Sequence, residues 1–310
     1  MKQKPFNIVL IIVFMAVLTM GFKIIVNNDL FQDQTESVVD PRAVETDGLI
    51  GNKPKLIATL EIKEGDMLER DIIPQLSLVF ELTEQEVKEI LALPLESYLI
   101  REELTNFRRL EGVIPPGSYD IHEGETLGAW SKQMVALAEN RYTSILTQTD
   151  RINSMKPNEQ IIVASIVEAE CLANMQYAET AAVFLNRLVN HTALQSCVTV
   201  EYALGFQRAF LCEEDVKIKD PYNTYIVSGL PVGPICCMDD QSLKAAIQPS
   251  TDPSLYYFFY DYLLDEMFFY ADYASFATEA TASQDRFMVD PPVEMHEKIN
   301  KQILFGFQAQ

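Results

Sequence analysis

A chain of 310 residues exceeds one ordinary domain, so roughly two globular units are expected from length alone. Its 24 basic and 45 acidic residues leave a formal charge of −21, which argues against a nucleic-acid partner and against docking of the soluble part on an anionic membrane surface. The 48% apolar share is ample for a core, and five cysteines between Cys171 and Cys237 with three scattered histidines make no metal-ligand spacing, so neither metal nor cofactor is expected.

Lys2 and Lys4 precede an uncharged, mostly apolar run from Pro5 to Phe22. As a helix this run is about 27 Å long, close to the hydrocarbon thickness of a bilayer. Basic residues before it and Asp29, Asp33 and Glu36 after it orient the N-terminus inside the cell and the remainder outside. Without a small-x-small cleavage site or a lipobox cysteine, the run reads as an uncleaved anchor. Asn27 to about Lys55 is polar and aperiodic, as a tether would be.

A small mixed unit follows. Leu56 to Lys63 begins as a strand, and Glu64-Gly65-Asp66 turns the chain. Thr83-Glu-Gln-Glu86 is a capping box that starts a helix ending before Pro94. The phrase Ile62-Lys-Glu-Gly-Asp-Met-Leu68 returns as Ile121-His-Glu-Gly-Glu-Thr-Leu127, each copy a strand end, a turn and a helix start. Leu110 to Tyr119, between the copies, is loop-rich and then extended. Trp130 to Arg151 has helical periodicity, with Met134, Leu137 and Ala138 on one face.

Ile161-Ile-Val-Ala-Ser-Ile-Val-Glu168-Ala-Glu170 is apolar almost without interruption until its carboxylates. It is too long for a typical strand, and Pro157 and Asn158 supply helix-start chemistry, so a buried helix is expected over 158–174. Glu168 then falls near the end of an interior helix. Burial raises a carboxylate's proton affinity, which a general acid needs; equally, Glu168 is where such a helix would reach the surface. A second helix is expected from Ala178 to Val189, interrupted by the polar pair Asn186-Arg187, which fits either a buried network or a substrate contact.

Loops are expected at Leu194–Val200, Asp220–Tyr225 and Gly229–Ile235. A short helix leads from Ser242 to Pro249, and an aromatic hairpin spans Leu255–Tyr260 and Met267–Ala271. Its aromatics suit a core or a sugar-stacking platform. A terminal helix is expected over Pro291–Phe305. The fold class is therefore α+β.

These phrases, in this order, resemble the YceG/MltG family of membrane-anchored endolytic murein transglycosylases. The matching segments are Ala164 to Glu170, Ala182 to Leu188, and Leu194-Gln195-Ser196 with Thr199, Val200 and Tyr202. They continue with Pro221 to Tyr225, Gly229 to Ile235 and Ser242 to Pro249, and upstream with Leu110-Glu111-Gly112, Pro116 and Tyr119. The resemblance implies a single N-terminal transmembrane helix (1–27 with its cytoplasmic tip), a linker (28–54), a small LysM-like domain (55–125) and a helix-rich catalytic domain with a short antiparallel sheet (126–310). It implies cleavage between MurNAc and GlcNAc inside peptidoglycan glycan strands, leaving 1,6-anhydroMurNAc ends. One residue, Glu168, would act as acid and then as base, and no second carboxylate is required.

By the same resemblance Gln195, Ser196, Thr199, Tyr222, Asn223, Thr224 and Tyr225 would bind substrate. Glu170, about 200° around the helix from Glu168, Asn186 and Arg187 would support them. The partners implied are glycan strands, the membrane and cell-wall synthesis enzymes. Two departures stand out. The family's Gln-Ser-Asp-Pro-Thr is here Gln195-Ser196-Cys197-Val198-Thr199, and its later His-x-Phe phrase and Glu-His pair are missing from Met267–Phe276. They leave a catalytically silent, glycan-binding scaffold as the alternative. Cys171 and Cys197 are expected to lie near each other.

Overall fold

The computed structural model describes residues 54–148, 154–171, 176–206, 211–261 and 263–289. The expected anchor at 5–22, most of the tether and the helix expected over Pro291–Phe305 lie outside the described residues. Among those that are described, no helix is long and apolar enough to cross a membrane.

Strands β1 (Leu56–Ile62) and β2 (Gly117–His122) pair antiparallel, with Leu60 opposite Tyr119 and Ile62 opposite Gly117. The repeated phrase is thus the exit from both strands. In each copy the glycine takes a left-handed φ, +78° at Gly65 and +84° at Gly124, which glycine adopts at little steric cost. The acid after it accepts from a backbone N–H three residues back: Lys63 N to Asp66 and His122 N to Glu125. In both copies the closing leucine, Leu68 or Leu127, begins a helical turn and is buried.

Between the strands lie α1 (Ile73–Val79), entered through one π-helical turn at Leu68–Ile72, and α2 (Glu84–Leu91). The capping box is present: Thr83 Oγ1 accepts from Glu86 N, and the Glu86 carboxylate accepts from Thr83 N. Helix α3 (Leu127–Thr147) buries Trp130, Met134, Val135, Ala138 and Tyr142. Leu137, expected on the buried face, is 41% exposed because the stripe turns through Val135 instead.

Helix α4 (Pro157–Glu170) is the centre of the molecule; every residue from Gln160 to Val167 is buried. It ends four residues earlier than periodicity predicts. Cys171 is already extended, at φ −95° and ψ 136°, and its thiol is in contact with Thr180 Oγ1 on the next helix at 3.5 Å. That helix, α5, runs Tyr177–Val189. Helix α6 (Cys197–Leu204) occupies a stretch expected as loop. Its β-branched Val198, Thr199 and Val200 disfavour helix locally, but all are buried, and tertiary packing overrides propensity. Helix α7 (Asp240–Ile247) is capped by Asp239, whose carboxylate accepts from Ser242 N. The hairpin β3 (Tyr257–Asp261) and β4 (Glu266–Tyr270) is followed by α8 (Tyr273–Val289). Phe259 stacks on Tyr270 and Phe268, so the inner part of the aromatic stripe is core.

One hydrophobic cluster extends from Leu60 of β1 through α1, α2, α3, α4 and α5 to Met267 of β4. The N-terminal strand pair therefore shares its core with the helices that follow. Backbone bonds join them too: Gly65 N donates to Cys237 O, and Cys237 N donates to Asp66 O. All five cysteines are free thiols.

Candidate active site

Glu168 lies in the last turn of α4, half-buried. Its Oε2 accepts from Asp239 N at 2.9 Å and from Ser242 Oγ at 2.7 Å, both at the start of α7. The loop that delivers Asp239 is fastened along α4: Ser165 Oγ accepts from Ile235 N, and the Cys236 thiol donates to Ser165 O. Arg141 of α3 holds the far side of the same helix start, bonding the Met238 carbonyl and Asp240. Burial pushes the Glu168 carboxyl up to about 7, and the neighbouring Asp239 charge adds to this against the two hydrogen bonds. Near neutrality the group can both give and take a proton.

Glu170 points elsewhere, as its place on the helix requires. It is fully buried, accepts from Ser196 Oγ at 2.7 Å, and burial raises it to about 7 as well. Ser196 is the residue before α6, so Glu170 fixes the start of that helix. Ser196 N donates to Thr224 Oγ1, Thr199 and Thr224 share a hydroxyl contact of 2.9 Å, and Gln195 N donates to Thr224 O. Asn223 spends its amide on the Val216 and Ile218 carbonyls, and its Oδ1 accepts from Tyr225 N.

Among the residues the resemblance offered as substrate contacts, Ser196, Thr199, Tyr222, Asn223 and Thr224 are buried. Their hydrogen bonds and ring packing knit segment 194–199 to segment 220–225. Tyr225 is half-buried, with its hydroxyl 2.8 Å from the Cys197 thiol. Gln195 alone of the seven is exposed, and at φ +50° its backbone is in the left-handed region. Cys171 and Cys197 have different partners, Thr180 and Tyr225.

The Asn186-Arg187 pair is a structural clamp. Asn186 Nδ2 donates to the Asp252 and Leu255 carbonyls, and Arg187 donates to the Tyr256 and Leu194 carbonyls. It ties the approach to β3 to the residue just before Gln195.

Three partners escaped the sequence reading. Asp239 and Ser242 have a local signal, the Asp-x-x-Ser spacing of a helix cap, but nothing local says what the capped helix faces. The third is Glu111, wholly buried, accepting from Leu68 N at 2.9 Å and Tyr202 OH at 2.7 Å, and raised by burial to about 7. Arg108, one turn earlier, lies over the Tyr202 and Tyr222 rings. Glu111 thereby joins the first helical turn of the N-terminal unit to α6.

Fold and site together define a helix-rich α+β protein built around shielded carboxyl groups, among whose described residues no group of three metal-ligating side chains occurs. The chain belongs to the YceG-like family, whose model matches residues 47–282. A relative from Bacillus subtilis (strain 168), an endolytic murein transglycosylase, is 32% identical over 149 residues, 48% of this chain and 41% of that one. One of the same name from Streptococcus pneumoniae (strain ATCC BAA-255 / R6) is 31% identical over 168 residues, 53% of this chain and 30% of that one. The matches thus span less than half the length of these relatives. A crystal structure of a yceG-like protein from Listeria monocytogenes superposes with a TM-score of 0.62 at 25% identity, covering 72% of this chain and 76% of that one.

Proposed function

We propose that this protein is a membrane-anchored endolytic murein transglycosylase, a lyase that acts on peptidoglycan outside the cytoplasmic membrane. The observation that carries the reading is the Glu168 carboxyl, held near neutral proton affinity at the end of a buried helix. Family membership and the name borne by the two relatives support it. Protonated Glu168 donates to the oxygen joining MurNAc to GlcNAc as the C1–O bond breaks. The resulting carboxylate then takes the proton of the muramic C6 hydroxyl while that oxygen bonds C1. Proton, oxygen and electron pair all balance, the 1,6-anhydro ring closes and no water is consumed.

Gln195 is the residue of the 194–199 segment free to contact the glycan, and the buried residues beneath it hold its position. The β1–α1–α2–β2 order of residues 56–122 supports reading that unit as a LysM-like glycan-binding part. The apolar run at 5–22 would anchor the chain beside cell-wall synthesis enzymes, with its N-terminus cytoplasmic.

The deciding experiment is muropeptide analysis after incubating the protein with purified sacculi. Release of 1,6-anhydro ends by the wild type and not by Glu168→Gln supports the reading; hydrolytic reducing ends, or none of either kind, overturn it. A second reading, a silent glycan-binding scaffold, is favoured by Cys197, whose thiol meets the Tyr225 hydroxyl where the family carries an acid. Glycan binding without product formation would select it.

A further inference from the structure

A carboxyl that must start its cycle protonated needs something to keep the proton there. Asp239 and Glu168 are tied to one short turn. Asp239 N donates to Glu168 Oε2, Ser242 Oγ donates to the same oxygen, and Ser242 N donates to Asp239 Oδ1. Ser242 thus serves one carboxyl with its hydroxyl and the other with its backbone. Through Ser242 and the Asp239 backbone the two carboxyl groups are held beside each other on one turn. Two carboxyl groups so placed cannot both ionise without a penalty.

Among the described residues, the other groups around Glu168 bring no comparable charge. Tyr177 of α5, Cys171 further along its own chain and Cys236 on the loop that runs along α4 are within electrostatic reach of Glu168, and Glu64 is within reach of Tyr177. Burial pushes Tyr177, Cys171 and Cys236 up, which keeps them neutral. Arg141 reaches this helix start but is spent on Asp240 and the Met238 carbonyl.

We propose that Asp239 is a positioning residue that holds the proton on Glu168 in the resting site, in addition to capping α7. The inference rests on the transglycosylase reading for its purpose, but its physical content is the interaction of two side chains. Asp239 would touch no reacting atom. Its carboxylate adds to burial in favouring the proton on Glu168, and its backbone N–H steadies the carboxylate that forms once the proton has gone to the glycosidic oxygen.

Asp239→Asn separates the two duties, because asparagine caps helices as well as aspartate does and the backbone N–H is unchanged. Asp239→Ser is the second variant, also a good cap and also uncharged. The full chain is assayed in detergent, by the pH dependence of anhydro-end release and by carbon-13 carboxyl titration of Glu168, its signal assigned by its loss in Glu168→Gln. In both variants the alkaline limb should move to lower pH. Turnover at pH 8 should fall roughly tenfold against wild type, and turnover at pH 5.5 should stay within about twofold. The Glu168 titration should shift acidward in parallel. An unchanged limb and an unchanged titration in the folded variants would overturn the proposal. If the wild type itself releases no anhydro ends, the transglycosylase reading fails, and the titration alone still decides whether Asp239 governs the proton on Glu168.

Discussion

Gly112 and Pro234 pass so close that a methyl group on the glycine would sit 2.6 Å from Pro234 Cβ, with Met238 Cε at 2.9 Å. Gly112 also has a φ of +66°, which a side chain rarely tolerates. Gly112→Ala should therefore destabilise the fold by about 2–5 kcal/mol, from backbone strain and overpacking together. Urea unfolding measures this. Because Pro234 begins the stretch that carries Asp239 to Glu168, activity should fall at temperatures where the variant is still folded.

Glu168→Gln keeps an acceptor for Asp239 N and Ser242 Oγ but has no titratable proton. Release of anhydro ends should fall by about 10²–10⁴-fold while glycan binding persists in pull-down with sacculi. Glu170→Gln also keeps an acceptor for Ser196 Oγ, and it reaches the site only through α6, so turnover should stay within about tenfold of wild type. Comparable losses in the two variants would mean that the two carboxyls do not have separate duties.

Glu111, Glu168 and Glu170 are each pushed by burial to about 7, from an unfolded value near 4.5. The folded state keeps protons that the unfolded chain releases across that window. Their stabilisation is present below the unfolded value and is lost as pH rises through about 7, by roughly 1–3 kcal/mol each. Melting temperature should therefore rise on going from pH 8 to pH 5.5, the direction in which the acidic chain also loses self-repulsion. Asp261, paired with Arg286, is lowered and acts oppositely, but only below the ordinary carboxylate range. Scanning calorimetry across pH tests this, and Glu168→Gln should show a shallower slope.

Arg187→Ala would leave the Leu194 and Tyr256 carbonyls without their donor. The expected cost is about 2–4 kcal/mol, and Arg187→Lys should recover only part because one ammonium cannot span both carbonyls as the guanidinium does. Protease cleavage near Leu194 in the folded variant would report the loosened segment; unchanged protection would show that the clamp is dispensable.

Much of this architecture is legible in the sequence where the signal is local. Helix α4 is apolar around most of its circumference, which marks it as interior, and Thr83 with Glu86 declares the start of α2. Helix α6 is hidden because the β-branched Val198, Thr199 and Val200 disfavour helix and the stretch to Val200 reads as loop; only Ser196 before it and Gly205 after it, left-handed at φ +77°, mark its ends. The polar partners of Glu168 were hidden for another reason. They lie 71 and 74 residues further along the chain, and no periodicity encodes a contact over that separation. Burial of Thr199, Asn223 and Thr224 was equally invisible, since a threonine or asparagine in a loop motif looks the same whether it faces solvent or a neighbouring hydroxyl.

The exchange of backbone bonds between Gly65–Asp66 and Cys237 has a bearing on how such chains can be rebuilt. It is a rung of pairing across 171 residues of sequence, set between the turn of the first unit and the strap beside α4. A cassette ending near residue 125 would carry away half of that rung, strand β2 and the Glu111 bridge to Tyr202. Neither fragment would then be a finished globule. Grafting a foreign glycan-binding module in place of residues 54–125 would have to reproduce a donor and an acceptor at Cys237, or accept a strap free to drift from the helix that it lines.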